Sequence, residues 1–181
     1  MSQTPATVLL AVGGGIAAYK TAVLCSRLVQ LGHEVRVVMT PSAQRFVGPP
    51  TFAALSGRPV GIDSFDPEQY PTGAHIELAK ALDLMIVAPA TANLIGKFAN
   101  GIADDLISTL YLQCDCQVLL APAMSELMWS KPSVQRNVQQ LRADGCQLIG
   151  PEEGWLSCRS RGAGRMSEPE DILEKARDIL P

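Results

Sequence analysis

The sequence predicts an α/β fold in three layers, with a central parallel sheet between two layers of helices. Short apolar runs alternate with segments of helical spacing along the 181 residues, and this alternation is typical of strand–helix–strand crossover units. The runs are apolar throughout, which indicates strands covered on both faces. The length suits one domain, which we expect to span residues 1–181.

Five buried strands and six helices account for most of the chain. The predicted strands are Thr7 to Val12, Val35 to Met39, Leu84 to Ala88, Val118 to Ala121 and Cys146 to Ile149. The predicted helices are Ile16 to Leu31, Ala74 to Ala81, Thr91 to Phe98, Asp104 to Cys114, Pro132 to Asp144 and Pro169 to Leu180.

Two segments break this pattern. Residues 41–73 contain six prolines, so we expect short helices and loops there. Residues 150–168 form a polar segment with several glycines, which we interpret as a long loop. Long loops in compact domains are often lids, and we therefore expect residues 150–168 to be a flap over a substrate.

Composition excludes several classes of function. A net charge of −3 and a pI near 5.4 provide no basic surface for nucleic acid or an anionic membrane. No apolar run approaches the roughly 20 residues of a membrane-spanning helix. Residues 1–5 lack the basic and then apolar pattern of a signal peptide. We therefore expect a cytoplasmic protein with no nucleic-acid or membrane partner.

The five cysteines form no Cys-X-X-Cys pair, which argues against a disulfide framework and a zinc site, and we expect no metal. Cys25 and Cys146 lie in apolar segments and are predicted to be core residues. Cys114 and Cys116 flank a helix-to-strand junction and are interpreted as structural. Cys158 differs, because packing gives no reason for a thiol in a segment rich in glycine, serine and arginine.

Residues 13–18 read Gly-Gly-Gly-Ile-Ala-Ala and satisfy G-X-G-X-X-(G/A) between a strand and a helix. Glycines there let the backbone approach a phosphate, and the free N–H groups at the helix start bind its charge. A dinucleotide site also needs an acidic residue at the end of the second strand. That strand ends in Thr40-Pro41-Ser42, and Glu34 lies at its other end. This favours a phosphate or ribityl chain over NAD; a dehydrogenase and a turn without ligand remain alternatives.

Two more strand-to-helix turns follow, over residues 88–93 and 121–125. Thr91 is a good N-cap, and a capping role alone would explain a threonine at this position. The same N–H groups and polar side chains could also hold the edge of an isoalloxazine ring. Because parallel strands end at one edge of the sheet, we expect all three turns to meet there.

The run Pro122-Ala123-Met124-Ser125-Glu126-Leu127-Met128-Trp129 resembles the Pro-X-Met-Asn-X-X-Met-Trp signature of the flavin-dependent cysteine decarboxylase family, with His75 upstream and Cys158 downstream. Residues 13–20 resemble the first flavin motif of that family. Residues 88–93 together with residues 101–109 resemble its second conserved block. Residues 154–169 are similar to the flap and closing motif of the coenzyme A branch. The resemblance covers nearly the whole chain.

The resemblance implies a flavodoxin-like or Rossmann-like fold, FMN as cofactor and a homotrimer, with further association into a dodecamer as an option. It places flavin sites at subunit interfaces, where His75 would face a flavin held largely by a neighbouring subunit. The FMN contacts that it implies are Gly14, Gly15, Ile16, Thr40, Ser42, Thr91, Ala92, Asn93, Ser108, Ala123 and Met124.

The implied activity is FMN-dependent decarboxylation of 4'-phosphopantothenoylcysteine to 4'-phosphopantetheine in coenzyme A biosynthesis, through a thioaldehyde and an enethiol. A separate phosphopantothenate–cysteine ligase is then expected in the pathway. One alternative is an oxidative decarboxylase of peptidyl C-terminal cysteine, which Cys158 disfavours. The other is a non-catalytic flavin-binding regulatory subunit, which Ser125 beside an intact His75 would suit.

By the same resemblance, His75 is the base or electrostatic partner for the substrate thiol, and Cys158 donates a proton in the second half-reaction. His33 is interpreted as an inert turn residue. The substrate contacts expected are Ser125, Met128, Ala123 and Arg165, and Arg159 and Arg161 could pair with the substrate phosphate.

Ser125 replaces the signature Asn, which the family ties to the substrate carboxylate and amide. Losing one hydrogen bond to a charged group costs about 1.5–3 kcal/mol. A water in place of the amide, an altered substrate, a slow enzyme or an engineered variant would each fit this difference.

Overall fold

A computed structural model describes residues 4–180. Residues 1–3, at which no signal-peptide pattern is predicted, and Pro181, the last residue of the expected domain, lie outside the described residues. A five-stranded parallel sheet forms the centre, in the order β2-β1-β3-β4-β5. Its strands are β1 Thr7–Val12, β2 Glu34–Met39, β3 Leu84–Ala90, β4 Gln117–Pro122 and β5 Gln147–Leu148.

The described residues contain eight α-helices, seven of which cover the two faces of the sheet. They are α1 Ala18–Gln30, α2 Pro49–Ser56, α3 Ala74–Leu78, α4 Ala92–Ala99, α5 Leu106–Gln113, α6 Glu126–Trp129, α7 Pro132–Ala143 and α8 Pro169–Arg177. Helices α1, α2 and α8 pack on one face, and α3, α4, α5 and α7 pack on the other. The predicted three-layer, flavodoxin-like arrangement is confirmed.

Strand β1 shows why the strands are apolar throughout. Val8, Leu10 and Val12 face one helical layer, whereas Leu9 and Ala11 face the other, and all five are fully buried. Because successive side chains point to opposite faces, a central strand needs apolar residues at every position.

Residues 150–168 are not the long loop that the sequence predicted. They contain an antiparallel hairpin, β6 Glu152–Trp155 and β7 Arg161–Arg165. Its glycines obscure the strand pattern, because the hairpin packs through its backbone. The Met124 N–H donates to the Gly164 carbonyl at 3.0 Å, and a side chain at Gly164 would collide with the Met124 carbonyl oxygen. The hairpin is therefore docked on the turn after β4.

His33 lies in the connection between α1 and β2, as predicted, and is buried there. It is 5% exposed, and its Nδ1 accepts a hydrogen bond from the Ala6 N–H at 3.2 Å, where the chain enters β1. Burial lowers the pKa of His33, the positive charge of Arg177 lowers it further, and Asp83 acts in the opposite direction. His33 is thus a neutral structural residue at the amino edge of the sheet.

The strand order fixes where a ligand can bind. From β1 the chain passes to β2 on one side and later to β3 on the other, which opens a crevice at the carboxyl ends of β1 and β3. Among residues 4–180, no helix combines the length and apolar character needed to cross a membrane.

Candidate active site

A cavity of about 1040 Å³ opens at the carboxyl edge of the sheet. The turns that follow four strands line it: Gly14 and Gly15 after β1, Thr40 to Ser42 after β2, Thr91 to Asn93 after β3, and Ala123 to Ser125 after β4. The expected convergence of the three strand-to-helix turns is confirmed. The volume suits a bound cofactor together with a small substrate.

The glycine turn after β1 depends on the absence of side chains. A Cβ at Gly13 would collide with the Pro89 carbonyl, and a Cβ at Gly14 would collide with Ser42. In the described part of the chain, the backbone N–H groups of Gly14 and Ile16 have no hydrogen-bond acceptor. Such unpaired donors next to a helix start are suited to an anionic group.

The turn after β3 combines a cap with a polar wall. The Thr91 hydroxyl accepts a hydrogen bond from the Leu94 N–H at 3.3 Å, which makes Thr91 the N-cap of α4. The exposed side chain of Asn93 lines the cavity beside it. Capping therefore uses Thr91, while Asn93 and the first N–H groups of α4 face the cavity side.

The turn after β4 presents Ser125 to the same cavity. The Ala123 N–H donates to the Ala90 carbonyl at 3.1 Å, which ties this turn to the end of β3. Ser125 is half-buried and precedes α6, yet its hydroxyl makes no capping hydrogen bond. Met128 lines the cavity one helical turn further on. The Ser125 hydroxyl is therefore available to a ligand.

The tip of the hairpin closes over the cavity and carries Cys158. The Arg159 N–H donates to the Leu156 carbonyl at 2.9 Å, and the Leu156 N–H donates to the Ser160 carbonyl at 2.8 Å. Arg159 has a φ of 63°, as expected for the left-handed residue of a three-residue hairpin loop. The Cys158 Sγ lies 3.1 Å from the Ser160 Oγ and lines the cavity.

Charged side chains anchor the base of the hairpin. Lys20, only 8% exposed, places its Nζ 2.8 Å from Glu168 Oε1 and donates to the Met166 carbonyl at 3.0 Å. Arg165 pairs with Glu168 at 3.2 Å and with Glu152 at 3.0 Å. Arg165 does line the cavity, but two carboxylates already neutralise its charge. Sequence reasoning did not identify Lys20 as a cavity residue.

Lys97 and Asp105 form a second charged pair at the cavity wall, which sequence reasoning also missed. Lys97 Nζ lies 2.6 Å from Asp105 Oδ2. The Asp105 carboxylate accepts from the Ser108 N–H at 2.8 Å as the N-cap of α5. Burial raises the pKa of Asp105, but the hydrogen bonds from Lys97 and Ser108 outweigh it and hold that pKa below its usual value. The Asp-X-X-Ser spacing of a capping box was the available signal.

Four residues that the sequence placed at the site do not line the cavity. Ser108 is fully buried and bonded within the capping box, so its side chain does not line the cavity. His75 lies half-buried in α3 and is also absent from the cavity wall of its own chain. Arg159 and Arg161, the candidate partners of a substrate phosphate, do not line it either, whereas the other cofactor and substrate residues expected from the sequence do. No cluster of three or more potential metal ligands occurs within residues 4–180.

Residues 1–180 match the family model described as Flavoprotein. The chain belongs to the flavoprotein family. This flavoprotein is 51% identical over 169 residues to the Coenzyme A biosynthesis bifunctional protein CoaBC of Bacillus subtilis. The alignment covers 93% of this chain and 42% of that relative. The chain thus spans less than half the length of the curated relatives it matches.

Solved structures support the same family. One is a cysteine-to-serine mutant of PPC decarboxylase complexed with pantothenoylaminoethenethiol, with a TM-score of 0.84, 31% identity and coverage of 96% of this flavoprotein and 97% of that chain. Another is the FMN-dependent cysteine decarboxylase SpaF, with a TM-score of 0.80, 31% identity and coverage of 97% and 95%. The flavodoxin-like fold is common to all three chains.

Proposed function

We propose that this flavoprotein is a phosphopantothenoylcysteine decarboxylase, which uses FMN to convert 4'-phosphopantothenoylcysteine to 4'-phosphopantetheine in coenzyme A biosynthesis. The observation that carries the proposal is the joint placement of four strand-end turns and the Cys158 thiol around one cavity. The identity to bifunctional coenzyme A biosynthesis proteins and the likeness to PPC decarboxylase support the same activity.

The residues of the cavity fit a flavin mononucleotide. The unpaired N–H groups of Gly14 and Ile16 offer donors to an anionic group, and only glycine at position 14 lets the Ser42 turn approach them. Asn93 and the backbone of Met124 supply polar wall on the other side. When bound, FMN supplies the two-electron chemistry that removal of a carboxylate from a cysteine requires.

The chain supplies substrate position and proton control. Ser125 offers one hydroxyl donor to the substrate carboxylate, and Ala123 and Met128 form the wall beside it. The Cys158 Sγ, held against the Ser160 hydroxyl, is the proton donor for the last step. The hairpin over residues 150–168 excludes water from the reacting groups, while its base stays fixed by Lys20.

The rival activity is oxidative decarboxylation of a peptidyl C-terminal cysteine, which releases the enethiol. SpaF shows that FMN-dependent cysteine decarboxylases share this fold. An enzyme that releases the enethiol has no use for a terminal proton donor, so Cys158 in the cavity favours the redox-neutral reaction.

Mass spectrometry of 4'-phosphopantothenoylcysteine after incubation with the FMN-loaded protein tests the proposal. The expected product is lighter by carbon dioxide alone. Cys158→Ser should give a product lighter by carbon dioxide and two hydrogens, and Cys116→Ser, remote from the cavity, should behave as the parent. An unchanged substrate in the presence of bound FMN would refute the enzyme and favour a flavin-binding regulatory subunit.

A homotrimer, with a dodecamer as its further association, is part of the same proposal. His75 does not line the cavity of its own chain, so a catalytic His75 has to reach the cavity of a second copy. Mixed oligomers test this: His75→Gln subunits, which should leave the substrate unchanged, and Cys158→Ser subunits, which should stop at the product lighter by carbon dioxide and two hydrogens, should together form the product lighter by carbon dioxide alone after exchange. Mixtures that form none of this product despite subunit exchange would place His75 outside the reaction.

The proposal also covers the cellular location of the enzyme and the source of its substrate. One domain over residues 1–181 performs the decarboxylation in the cytoplasm, and a separate phosphopantothenate–cysteine ligase supplies its substrate. Fractionation of cells and copurification with a tagged protein test the location and the ligase. Exclusive recovery in the membrane fraction would contradict the first expectation.

A further inference from the structure

Helix α3, which carries His75, is too short to keep its place by itself. It has five residues, whereas isolated helices in water need roughly 12–15 residues to form. Ala74 and Leu78 are buried in the core, and because they are four positions apart they lie on one face of the helix. His75 is only half-buried. Core packing thus holds one face of α3, and the ends of the helix need other contacts.

The amino end of α3 is held by its own segment. Glu77 Oε1 accepts hydrogen bonds from the Thr72 N–H at 2.9 Å and from the Thr72 hydroxyl at 2.8 Å. Gly73 is the N-cap, with a φ of 101°. The His75 ring lies back over this glycine, since a Cβ at Gly73 would be 3.5 Å from His75 Cε1. The place of the imidazole therefore depends on the place of the helix.

A residue of the sheet holds the carboxyl end of α3. Arg36 lies on the edge strand β2. Its Nη1 donates toward three carbonyl oxygens, at 2.7 Å from Lys80, 3.2 Å from Leu78 and 3.5 Å from Glu77. The last carbonyls of a helix have no partner within the helix, and a cationic side chain can take that role. Arg36 thus ties the end of α3 to the sheet.

The guanidinium of Arg36 is itself fixed from the other side. Its Nε donates to Glu34 Oε1 at 2.8 Å, and Glu34 Oε2 pairs with Arg58 at 2.9 Å. Beyond the helix, Ala81 has a φ of 51°. A residue with a side chain keeps this left-handed conformation only where the surrounding structure imposes it. The exit from α3 is therefore constrained on the side that Arg36 contacts.

We infer that Arg36 is a positioning residue for His75, because it fixes the end of α3 and, through α3, the imidazole. The inference rests on the proposed function, in which His75 of one copy acts at the cavity of a second copy. Arg36 does not line the cavity of its own chain. Its effect on the reaction passes through α3, which is its described contact besides Glu34.

Three variants separate this role from a general effect of charge. Arg36→Met removes every hydrogen bond of the guanidinium. Arg36→Lys keeps the charge, but one ammonium group cannot reproduce the planar fork that reaches Glu34 and the α3 carbonyls together. Arg58→Met is the matched control, because it removes a positive charge from the same Glu34 carboxylate, whereas the described side-chain contacts of Arg58 do not include α3.

Nuclear magnetic resonance reads the position of His75 directly. The chain has two histidines, so histidine-labelled, FMN-loaded protein gives separate imidazole signals for His75 and His33. At constant pH, Arg36→Met should move the His75 signal and leave the His33 signal in place. Arg36→Lys should move the His75 signal less, and Arg58→Met should move neither. An unmoved His75 signal in Arg36→Met, or an equal shift of both histidines, would overturn the inference.

Steady-state kinetics then test the consequence for the reaction. A small displacement of a reacting group costs up to about 100-fold in rate. Arg36→Met should lower kcat per bound flavin by about 10- to 100-fold and keep KM within about twofold of the parent. Arg36→Lys should fall between Arg36→Met and the parent. A kcat in Arg36→Met equal to that of Arg58→Met would refute the positioning role.

Two further outcomes are covered by the same set of proteins. If the parent forms no product, the proposed function fails, while the histidine signals still decide whether Arg36 positions His75. If Arg36→Met does not fold, Arg36→Lys takes its place in both measurements. Equality of Arg36→Lys with Arg58→Met in the His75 signal and in kcat would then overturn the inference.

Discussion

Removal of the Ser125 hydroxyl tests the proposed substrate contact with little change to the fold. Ser125 is half-buried at the cavity wall, and its hydroxyl makes no capping hydrogen bond to α6. Ser125→Ala should therefore leave the free energy of unfolding within about 0.5 kcal/mol of the parent. Any larger effect then belongs to the ligand.

The expected magnitude follows from the chemistry of the contact. A hydrogen bond from the hydroxyl to a substrate carboxylate is worth about 1.5–3 kcal/mol. Its loss should lower kcat/KM by about 10- to 100-fold. Ser125→Asn restores the signature residue of the cysteine decarboxylases and should raise kcat/KM by a similar factor, because the amide is longer and adds a second donor.

Steady-state measurement of product by mass spectrometry gives the ratio of kcat/KM values. Ser130→Ala is the matched control, because Ser130 lies at the other end of α6 and its hydroxyl donates to the Leu127 carbonyl at 3.3 Å. It should leave kcat/KM unchanged. If Ser125→Ala retains kcat/KM within about twofold of the parent, the hydroxyl does not bind the transition state and the assignment of Ser125 is wrong.

Three further predictions concern stability, each measured by urea unfolding. Lys20→Met removes the buried ammonium that donates to the Met166 carbonyl and pairs with Glu168, which keeps Arg165, and it should cost about 1.5–3 kcal/mol, whereas exposed Lys80→Met should cost almost nothing; equal losses would show that Lys20 does not hold the base of the hairpin. The pKa of His33 in the folded protein lies below its unfolded value of about 6.5. The contribution of neutral His33 to the free energy of unfolding is therefore complete above about pH 6.5 and is lost as the pH falls through the folded pKa. His33→Gln should flatten this dependence and His75→Gln should not; a retained slope in the first variant would contradict the assignment. Asp105→Ala should cost about 1–2 kcal/mol through loss of the N-cap of α5. Asp105→Asn, which keeps a capping oxygen, should be closer to the parent. Identical losses in the two variants would show that the ion pair with Lys97, and not the N-cap, accounts for the stabilisation.

The sequence predicted the sheet well, because its signal is strong and local. Central strands must be apolar at every position, so runs such as Thr7–Val12 and Leu84–Ala90 stand out from their surroundings. Thr91 as an N-cap and the buried positions of Cys25 and Cys146 are confirmed for the same reason: each follows from its immediate neighbours.

Features that depend on distant backbone were missed. The hairpin over residues 152–165 is held through backbone contacts with the turn after β4, and its glycines give no alternating pattern. The four residues of α6 are too few to show helical periodicity. The hydrogen bond that holds His33 was not predicted, because its partner is the backbone of Ala6, 27 residues away.

The strand-end turns of the candidate site were predicted from the sequence, but the charged side chains at the cavity wall were not. Its strand-end turns follow from the rule that parallel strands end together. Lys20 and Lys97 were not expected at the cavity, because the carboxylates that hold them lie on other elements. Ser108 was expected to touch the cofactor, but the capping box turns its hydroxyl toward Asp105.

The cavity wall is assembled from segments that extend from Gly14 to Glu168, so no contiguous part of the chain contains it. A ligand that binds there binds the complete fold and has no site on the unfolded chain. At a hundredfold excess over Kd, such a ligand adds about 2.7 kcal/mol to the stability of the whole domain. Saturation with flavin should therefore slow proteolysis of this protein, and limited proteolysis with and without added FMN measures that effect.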